Sequence, residues 1–381
     1  MNTKLTSQTK RQTNAKATLI KLAVDVHAAS YTVVRQVDNC RMQPPQSFAP
    51  IDFLPWVKKQ KPLAERVVVC YESGPFGFVL ARQLQALGVE CIVMAAQPLD
   101  ERHKRVQTDR LDAQQIGSRL DRYLAGNSRA LARVKIPTLE QELRRSESRQ
   151  REQLLKTRKQ LEAQGRALLV LNGWVDAPSH WWREGHWQLH QERGAWSPAV
   201  GQMLERWRAV LLQIQEQVES LTRKIEATLP EYLPPSMPQL PIGIGAWTWI
   251  ALTRELLQWE RFTNRRQVGS FSGLVASEST SGTHRHQGHI TKVGNPRIRA
   301  LAVELAWRLL QFQPDYYLVK KWRPKLYTVF GAKTSPSQRK RAIVALARQC
   351  MVDLWRLATG ATTPQALGLK LAKASANPVA A

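Results

Sequence analysis

Little in this sequence could cross-link the chain, build a zinc knuckle or cross a membrane. The four cysteines, Cys40, Cys70, Cys91 and Cys350, lie far apart with no paired spacing for zinc or a redox couple. All four read as buried or half-buried thiols that act as small hydrophobes. No stretch approaches the roughly twenty apolar residues of a spanning helix, and residues 1–17 carry Lys and Arg without the apolar core of a signal peptide. An intracellular protein is expected. Acid is scarce as well: 30 Asp and Glu face 56 Lys and Arg, a formal charge of +26 over 381 residues. That excess goes far beyond what solubility needs and suits a long polyanionic partner, nucleic acid first.

The acids that are present occupy particular settings. Asp25 closes the apolar run 19–24, Glu72 closes the run 67–71, and Asp109 and Asp112 stand three apart in Thr108-Asp109-Arg110-Leu111-Asp112. Carboxylates at two strand ends, with a pair on one helix face, can hold two Mg²⁺ ions over a phosphodiester. Acids also close strands and cap helices for purely structural reasons. Asp109 and Asp112 nevertheless share a helix face and repel each other, an arrangement that a cation between them would relieve. Asp38, Asp52, Asp100 and Asp121 lack such settings and read as structural.

Hydrophobic periodicity predicts strands at 19–26, 31–37, 67–72 and 90–96 and helices at 52–59 and 76–87. An opening hairpin followed by alternating strands and helices describes a layered α/β domain with a mixed sheet, the arrangement of RNase H-like nucleases. It is expected over residues 18–128, ending near Gly126, after a basic tail at 1–17. Residues 139–171 and 200–229 carry leucine-rich stripes and predict two long amphipathic helices within 134–230, forming an antiparallel hairpin or a dimer-forming coiled coil. Between them, residues 174–197 hold Trp174, Trp181, Trp182, Trp187 and Trp196 with His180, His186 and His190. An aromatic plug at the hairpin tip and a stacking platform for unpaired bases both fit. Zinc fits least, since no cysteine accompanies the histidines.

A Pro-rich linker at 230–241 precedes a mostly helical unit at 238–360. Its opening, Ile242-Gly243-Ile244-Gly245 before a helix, lets backbone N–H groups of Gly243 and Gly245 approach a phosphate as in helix-hairpin-helix elements, or forms a plain tight turn. Next come Ser277, Ser279 and Ser281, then a basic loop with His284, Arg285, His286, His289 and Lys292. Asn295-Pro296 opens a helix whose Arg297 and Arg299 can lie against a sugar-phosphate backbone. A basic run follows with Lys320, Lys321, Arg323 and Lys325, interleaved with Tyr316, Tyr317 and Trp322; it reads as a nucleic-acid groove or a solvated face. A last amphipathic helix at 343–357 and a flexible tail at 361–381 complete the chain.

In this order and spacing the motifs resemble one family along nearly the whole chain. It is the insertion-sequence transposases with an N-terminal RuvC-like DEDD domain and a C-terminal serine-bearing transposase domain. The resemblance rests on Val24-Asp25-Val26, Tyr71-Glu72-Ser73-Gly74, Thr108-Asp109-Arg110-Leu111-Asp112-Ala113, Ile242-Gly243-Ile244-Gly245, Gly273-Leu274 with Ser281-Gly282, and Lys292-Val293-Gly294-Asn295. It implies an α/β plus α architecture: an RNase H-like domain, a helical hairpin and a mostly helical serine domain. It also implies a prokaryotic cytoplasmic, nucleoid-associated recombinase that moves a DNA element, with a noncoding bridge RNA pairing to donor and target DNA. By that likeness Asp25, Glu72, Asp109 and Asp112 bind Mg²⁺ and Ser281, the serine followed by Gly, becomes covalently joined to DNA. Dimers growing to tetramers, with composite sites shared between protomers, would follow.

The chemistry of the residues leaves two other readings open. A metal-dependent nuclease or junction resolvase would use water as nucleophile, and an RNA-binding scaffold would use the carboxylates structurally. For serine attack, cations must offset charge on the phosphoryl oxygens, which Arg285, Lys292, Arg297 and Arg299 can do, and His284, His286 or His289 can carry a proton.

Overall fold

The computed structural model describes residues 16–96, 108–193, 197–281, 284–327 and 335–372, except for the side chains of His190, Arg193, Ser281 and Arg285. The chain forms two compact units, up to Thr138 and from Leu139 onward.

In the first unit, β1 (Ala17–Val26), β2 (Tyr31–Val37) and β3 (Gln46–Phe48) precede α1 (Pro50–Gln60), β4 (Ala64–Glu72), α2 (Val79–Ala86), β5 (Glu90–Met94) and α3 (Asp109–Leu124). The sheet order is β3-β2-β1-β4-β5. The first three strands are antiparallel, while β1, β4 and β5 run parallel. β4 reads as a continuous apolar run over 67–71, and β1 as one interrupted only by Lys21, because both sheet faces are covered. Ile20, Leu22 and Val24 pack with Phe53, Val57 and Leu84 on one side. On the other side Ala23, Cys70 and Met94 meet Ala113, Ile116 and Leu120 of α3.

One buried charge fixes α3 to the sheet. The Lys21 side chain, 6% exposed, donates to Asp121 Oδ1 at 2.5 Å and to the Asp38 carbonyl at 2.8 Å. The first unit, expected to end near Gly126, continues to Thr138. After α3 the chain returns beside β5, with the Val134 amide on the Val93 carbonyl at 2.7 Å and Leu131 buried.

The second unit opens with α4 (Leu139–Leu171), α5 (Glu184–Arg193) and α6 (Pro198–Glu226). α4 and α6 pair antiparallel within one chain: Arg151 donates to Thr222 at 2.6 Å, Arg158 to Gln215 at 2.5 Å and Lys224 to Glu147 at 2.5 Å. Trp174, Trp181, Trp182 and Trp187 form a plug with Leu169 and Leu204, and Trp181 and Trp182 are too deeply buried to stack on a base. Their indole N–H groups donate to the carbonyl and carboxylate of Glu162, each at 3.0 Å. Trp196 lies outside the described residues. Gly165 makes the plug possible, because a Cβ there would sit 1.9 Å from the Trp181 ring. Gly165→Ala is therefore expected to lower stability by about 1–3 kcal/mol through overpacking, read as a lower urea midpoint at unchanged slope.

The remainder comprises α7 (Ala246–Leu256), α8 (Arg265–Ser272), β6 (Ala276–Ser281), β7 (His284–Ile290), α9 (Pro296–Phe312), α10 (Tyr317–Leu326) and α11 (Pro336–Ala358). Trp249, Leu252, Leu305, Leu309, Leu346 and Leu354 belong to its core. Two expectations are corrected here. The basic loop after Ser281 is a strand, because alternating small and polar residues on both sides pair as a two-stranded ladder. The stretch after Gly360 is docked through Ala372: Leu367 and Leu369 are buried, and the Gln313 side chain brackets the Lys370 backbone at 2.8 and 2.9 Å. Cys70, Cys91 and Cys350 are buried, which pushes each thiol up to about 12, whereas Cys40 is exposed.

Candidate metal centre and serine hairpin

Strand periodicity carries Asp25 and Glu72 to one place. Side chains two apart share a sheet face, so Asp25 follows Ala23, and Glu72 follows Cys70, on the face that α3 covers. The parallel register pairs Val24 with Tyr71, which puts Asp25 and Glu72 next in line at the same sheet end. Thr108 caps α3, its hydroxyl accepting from the Leu111 amide at 3.4 Å, and sets Asp109 and Asp112 in the first turn. There a carboxylate is favoured by the helix dipole.

The structure adds a residue that the sequence reading passed over. His27 Nε2 lies 3.1 Å from Asp25 Oδ2 and 3.6 Å from Asp109 Oδ1. Ligand atoms of Asp25, His27 and Asp109 all fall within 4.8 Å of one another. His27 stands just past the end of β1, in the turn to β2, where strand alternation does not mark it. Burial raises the Asp25 carboxyl above its ordinary range, His27 opposes the rise, and Asp109 and Asp112 add to it. Asp112 is likewise raised by burial and by Asp109. This crowding of hard oxygen donors fits Mg²⁺. Among the described residues, the groups close enough to share one ion are Asp25, His27 and Asp109; Asp112 lies near enough to Asp25 to add to its rise, and Glu72 ends the neighbouring strand.

The serines lie in the second unit. Ser279 stands opposite His286 and Ser281 opposite His284 in the β6–β7 ladder, with an irregularity between Ala276 and Glu278. Ser277 is committed: its Oγ donates to the His289 carbonyl at 3.0 Å, in room left by Gly288. The side chains of Ser281 and Arg285, and the whole of Gly282, lie outside the described residues. The base of the hairpin is clamped where Gly273 (φ 66°) and Gly294 (φ 136°) pass each other, a Cβ on Gly294 meeting the Phe271 carbonyl at 2.5 Å.

The cations expected on phosphate divide into two sets. Arg299 donates to the Lys292 carbonyl at 3.2 Å and Arg297 to Glu152 at 3.0 Å, so both hold the base of the hairpin and α9 in place. Lys320 is 3.6 Å from Asp315, the Lys325 ammonium lies 4.9 Å from the Trp322 ring centroid, and Arg323 is exposed. Lys292 and Lys321 face a wide groove. Gly243 (φ 91°) packs on Phe312 and its carbonyl accepts from Arg308 at 2.8 Å, while Gly245 N-caps α7.

A buried pair that the sequence did not mark supports this region. Glu255 accepts two hydrogen bonds from Arg149 of α4, at 2.7 and 2.9 Å, and one from Asn295 at 2.7 Å. Asn295 in turn caps α9.

Acid-bearing sheet end, basic helices and total charge define a protein that works on nucleic acid, and relatives give the class as transposase. Residues 239–318 match the family described as Transposase IS116/IS110/IS902 family. The protein y4rJ of Sinorhizobium fredii, which carries a transposase name, is 31% identical over 308 residues, covering 76% of each chain. A second protein of that organism, y4qE, also with a transposase name, is 29% identical over 64% of this chain and 58% of its own. The transposase for insertion sequence element IS1111A of Coxiella burnetii is 25% identical over 73% of this chain and 74% of its own. The chain belongs to the IS116/IS110/IS902 family of transposases, and DNA is its partner. Among the described residues no helix is long and apolar enough to cross a membrane.

Proposed function

We propose that this transposase excises and inserts its element through a covalent Ser281–DNA linkage. In this reading Mg²⁺ is held by Asp25, Glu72, Asp109 and Asp112 of an RNase H-like, RuvC-like domain. A noncoding bridge RNA selects donor and target DNA, and the working form is a dimer growing to a tetramer at the nucleoid in the cytoplasm. The observation that carries the proposal is the convergence of Asp25 and His27 with Asp109, distant in sequence, at one sheet end. Bound Mg²⁺ would supply charge neutralisation on the phosphoryl oxygens and lower the proton affinity of the attacking group.

The Ser281 hydroxyl forms an Oγ–P bond and gives up its proton. The other strand end leaves as an alcohol and takes a proton up. Ser281 is favoured over Ser277 because the Ser277 hydroxyl already serves a backbone carbonyl. Lys292 faces the groove beside the hairpin and is suited to phosphate; Arg299 acts on it through the Lys292 carbonyl.

Incubating the protein with its RNA and a suicide DNA substrate tests this directly on a denaturing gel. The native chain and Ser277→Ala should give a protein–DNA adduct, and Ser281→Ala and Asp109→Ala none. Nicked DNA without any adduct from the native chain would point instead to a nuclease or resolvase using water. A discrete RNA species copurifying with the protein supports guidance; a heterogeneous mixture would mean that charge alone retains RNA.

A further inference from the structure

Helix α11 has two faces of different character. One is core, with Ile343, Leu346, Cys350 and Leu354. The other carries Arg341, Val344, Arg348, Val352 and Arg356 along a groove of about 1620 Å³. Its cations recur every seven or eight residues, roughly 10–12 Å apart along the axis at 1.5 Å per residue. Arg265 and Arg266 at the start of α8, and Lys321 and Trp322 of α10, also line the groove, and Gln287 and His289 of the hairpin border it.

Charge there is one-sided. Eight Lys and Arg residues line the groove, against a single carboxylate, Asp353. Asp353 is buried and already engaged, accepting from the Tyr316 hydroxyl at 2.8 Å with Arg356 at 3.5 Å. Arg341 and Arg348 have no ion-pair partner among the described residues. Uncompensated cations spaced along a trough call for a polyanion. Half-buried Trp322 and Trp355 and exposed Tyr317 add aromatic surface to the same walls. A duplex keeps its base faces stacked inside, so aromatic walls find partners only in unpaired bases.

We infer that this groove holds an unpaired DNA strand, its phosphates on Arg341 and Arg348 and its bases against Trp322 and Trp355, leading to the serine-bearing hairpin. The choice of DNA over RNA rests on the reading that the hairpin acts on DNA. The phosphate and base contacts themselves do not depend on it. Arg348 and Arg356 fall outside the basic run that the sequence marks, because they are scattered at helical spacing among apolar residues.

Fluorescence anisotropy of the full chain in EDTA measures binding without chemistry, so failure of the serine or metal assignment leaves this test intact. The probes are a fluorescein-labelled mixed-sequence 20-mer single strand, its duplex and its RNA copy. Arg341→Ala/Arg348→Ala should weaken single-stranded DNA at least about tenfold near 0.1 M salt, and flatten the slope of log affinity against log salt by about 0.7 for each phosphate no longer neutralised. Lys159→Ala/Arg206→Ala, two exposed cations on the α4–α6 hairpin, serve as the charge-matched control. Equal loss in that control, or equal loss for the duplex, overturns the inference. Loss confined to the RNA copy overturns the assignment to DNA. Should the double variant melt early, Arg341→Gln in the exposed second turn of α11 takes its place, with the slope change of a single phosphate expected and an unchanged slope overturning the inference.

Discussion

Asp112→Asn is expected to lower strand cleavage by at least about tenfold, while raising the melting temperature of the metal-free protein. The two effects share one cause. Burial and Asp109 raise the Asp112 carboxyl above its ordinary value of 3.8, so the folded protein holds that proton more tightly than the unfolded chain does. Stability then falls as pH rises through the window between the ordinary value and the raised one, and the loss persists at neutral pH. Asparagine keeps the shape and removes the repulsion. Its advantage in melting temperature should shrink as pH drops through that window, since protonation relieves the wild type as well. The activity figure follows from the proposed metal role: removing even an outer-shell partner costs 10- to about 100-fold in metal affinity or activity, and a direct ligand would cost no less. Added Mg²⁺ should raise the melting temperature of the wild type more than that of the variant, because only a ligand that binds the folded state stabilises it. Equal Mg²⁺ responses, with cleavage intact, would remove Asp112 from the metal centre.

Glu255→Ala is expected to cost about 3 kcal/mol of stability, at the lower end of the range for breaking a buried pair. The Glu255 side chain is 3% exposed and that of Arg149 37%, so the orphaned guanidinium retains some water and the loss stays below the full buried-pair value. Burial raises the Glu255 carboxyl, but hydrogen bonds from Arg149 and Asn295 outweigh it and leave the group below its ordinary value. A depressed carboxyl contributes stability above its unfolded value of 4.5, and the contribution is lost as pH falls through the folded value. The gap between wild type and variant in a urea series should therefore narrow in acid. Activity should suffer too. Glu255 holds α4, α7 and the cap of α9 together, and α9 anchors the base of the serine hairpin through Asn295 and Arg299.

Much of the first unit was legible in the chain because its central strands are buried on both faces and read as largely apolar runs. The same runs located Asp25 and Glu72 at their ends, and the three-residue spacing of Asp109 and Asp112 marked them as a pair on one helix face. The serine segment was harder. Ser277, Ser279 and Ser281 alternate with a strand's period, but without apolar neighbours that period resembles a polar loop, and only pairing with 284–290 makes it a ladder. The Trp-rich insertion was ambiguous for a related reason: an indole has the same sequence signature whether it meets a base or Gly165, and the absent Cβ at that glycine decides which.

Local periodicity, charge and the order of motifs thus determined the class of elements, the acidic settings and the nucleic-acid partner, because each is a property of neighbours along the chain. Tertiary structure alone decided that His27 joins Asp25 and Asp109, that Ser277 is committed to a carbonyl, that Arg297 faces Glu152, and that α8, α10 and α11 wall one cationic groove. Those outcomes depend on which faces pack across long sequence separations, and burial and charge pairing select them only when the whole core closes.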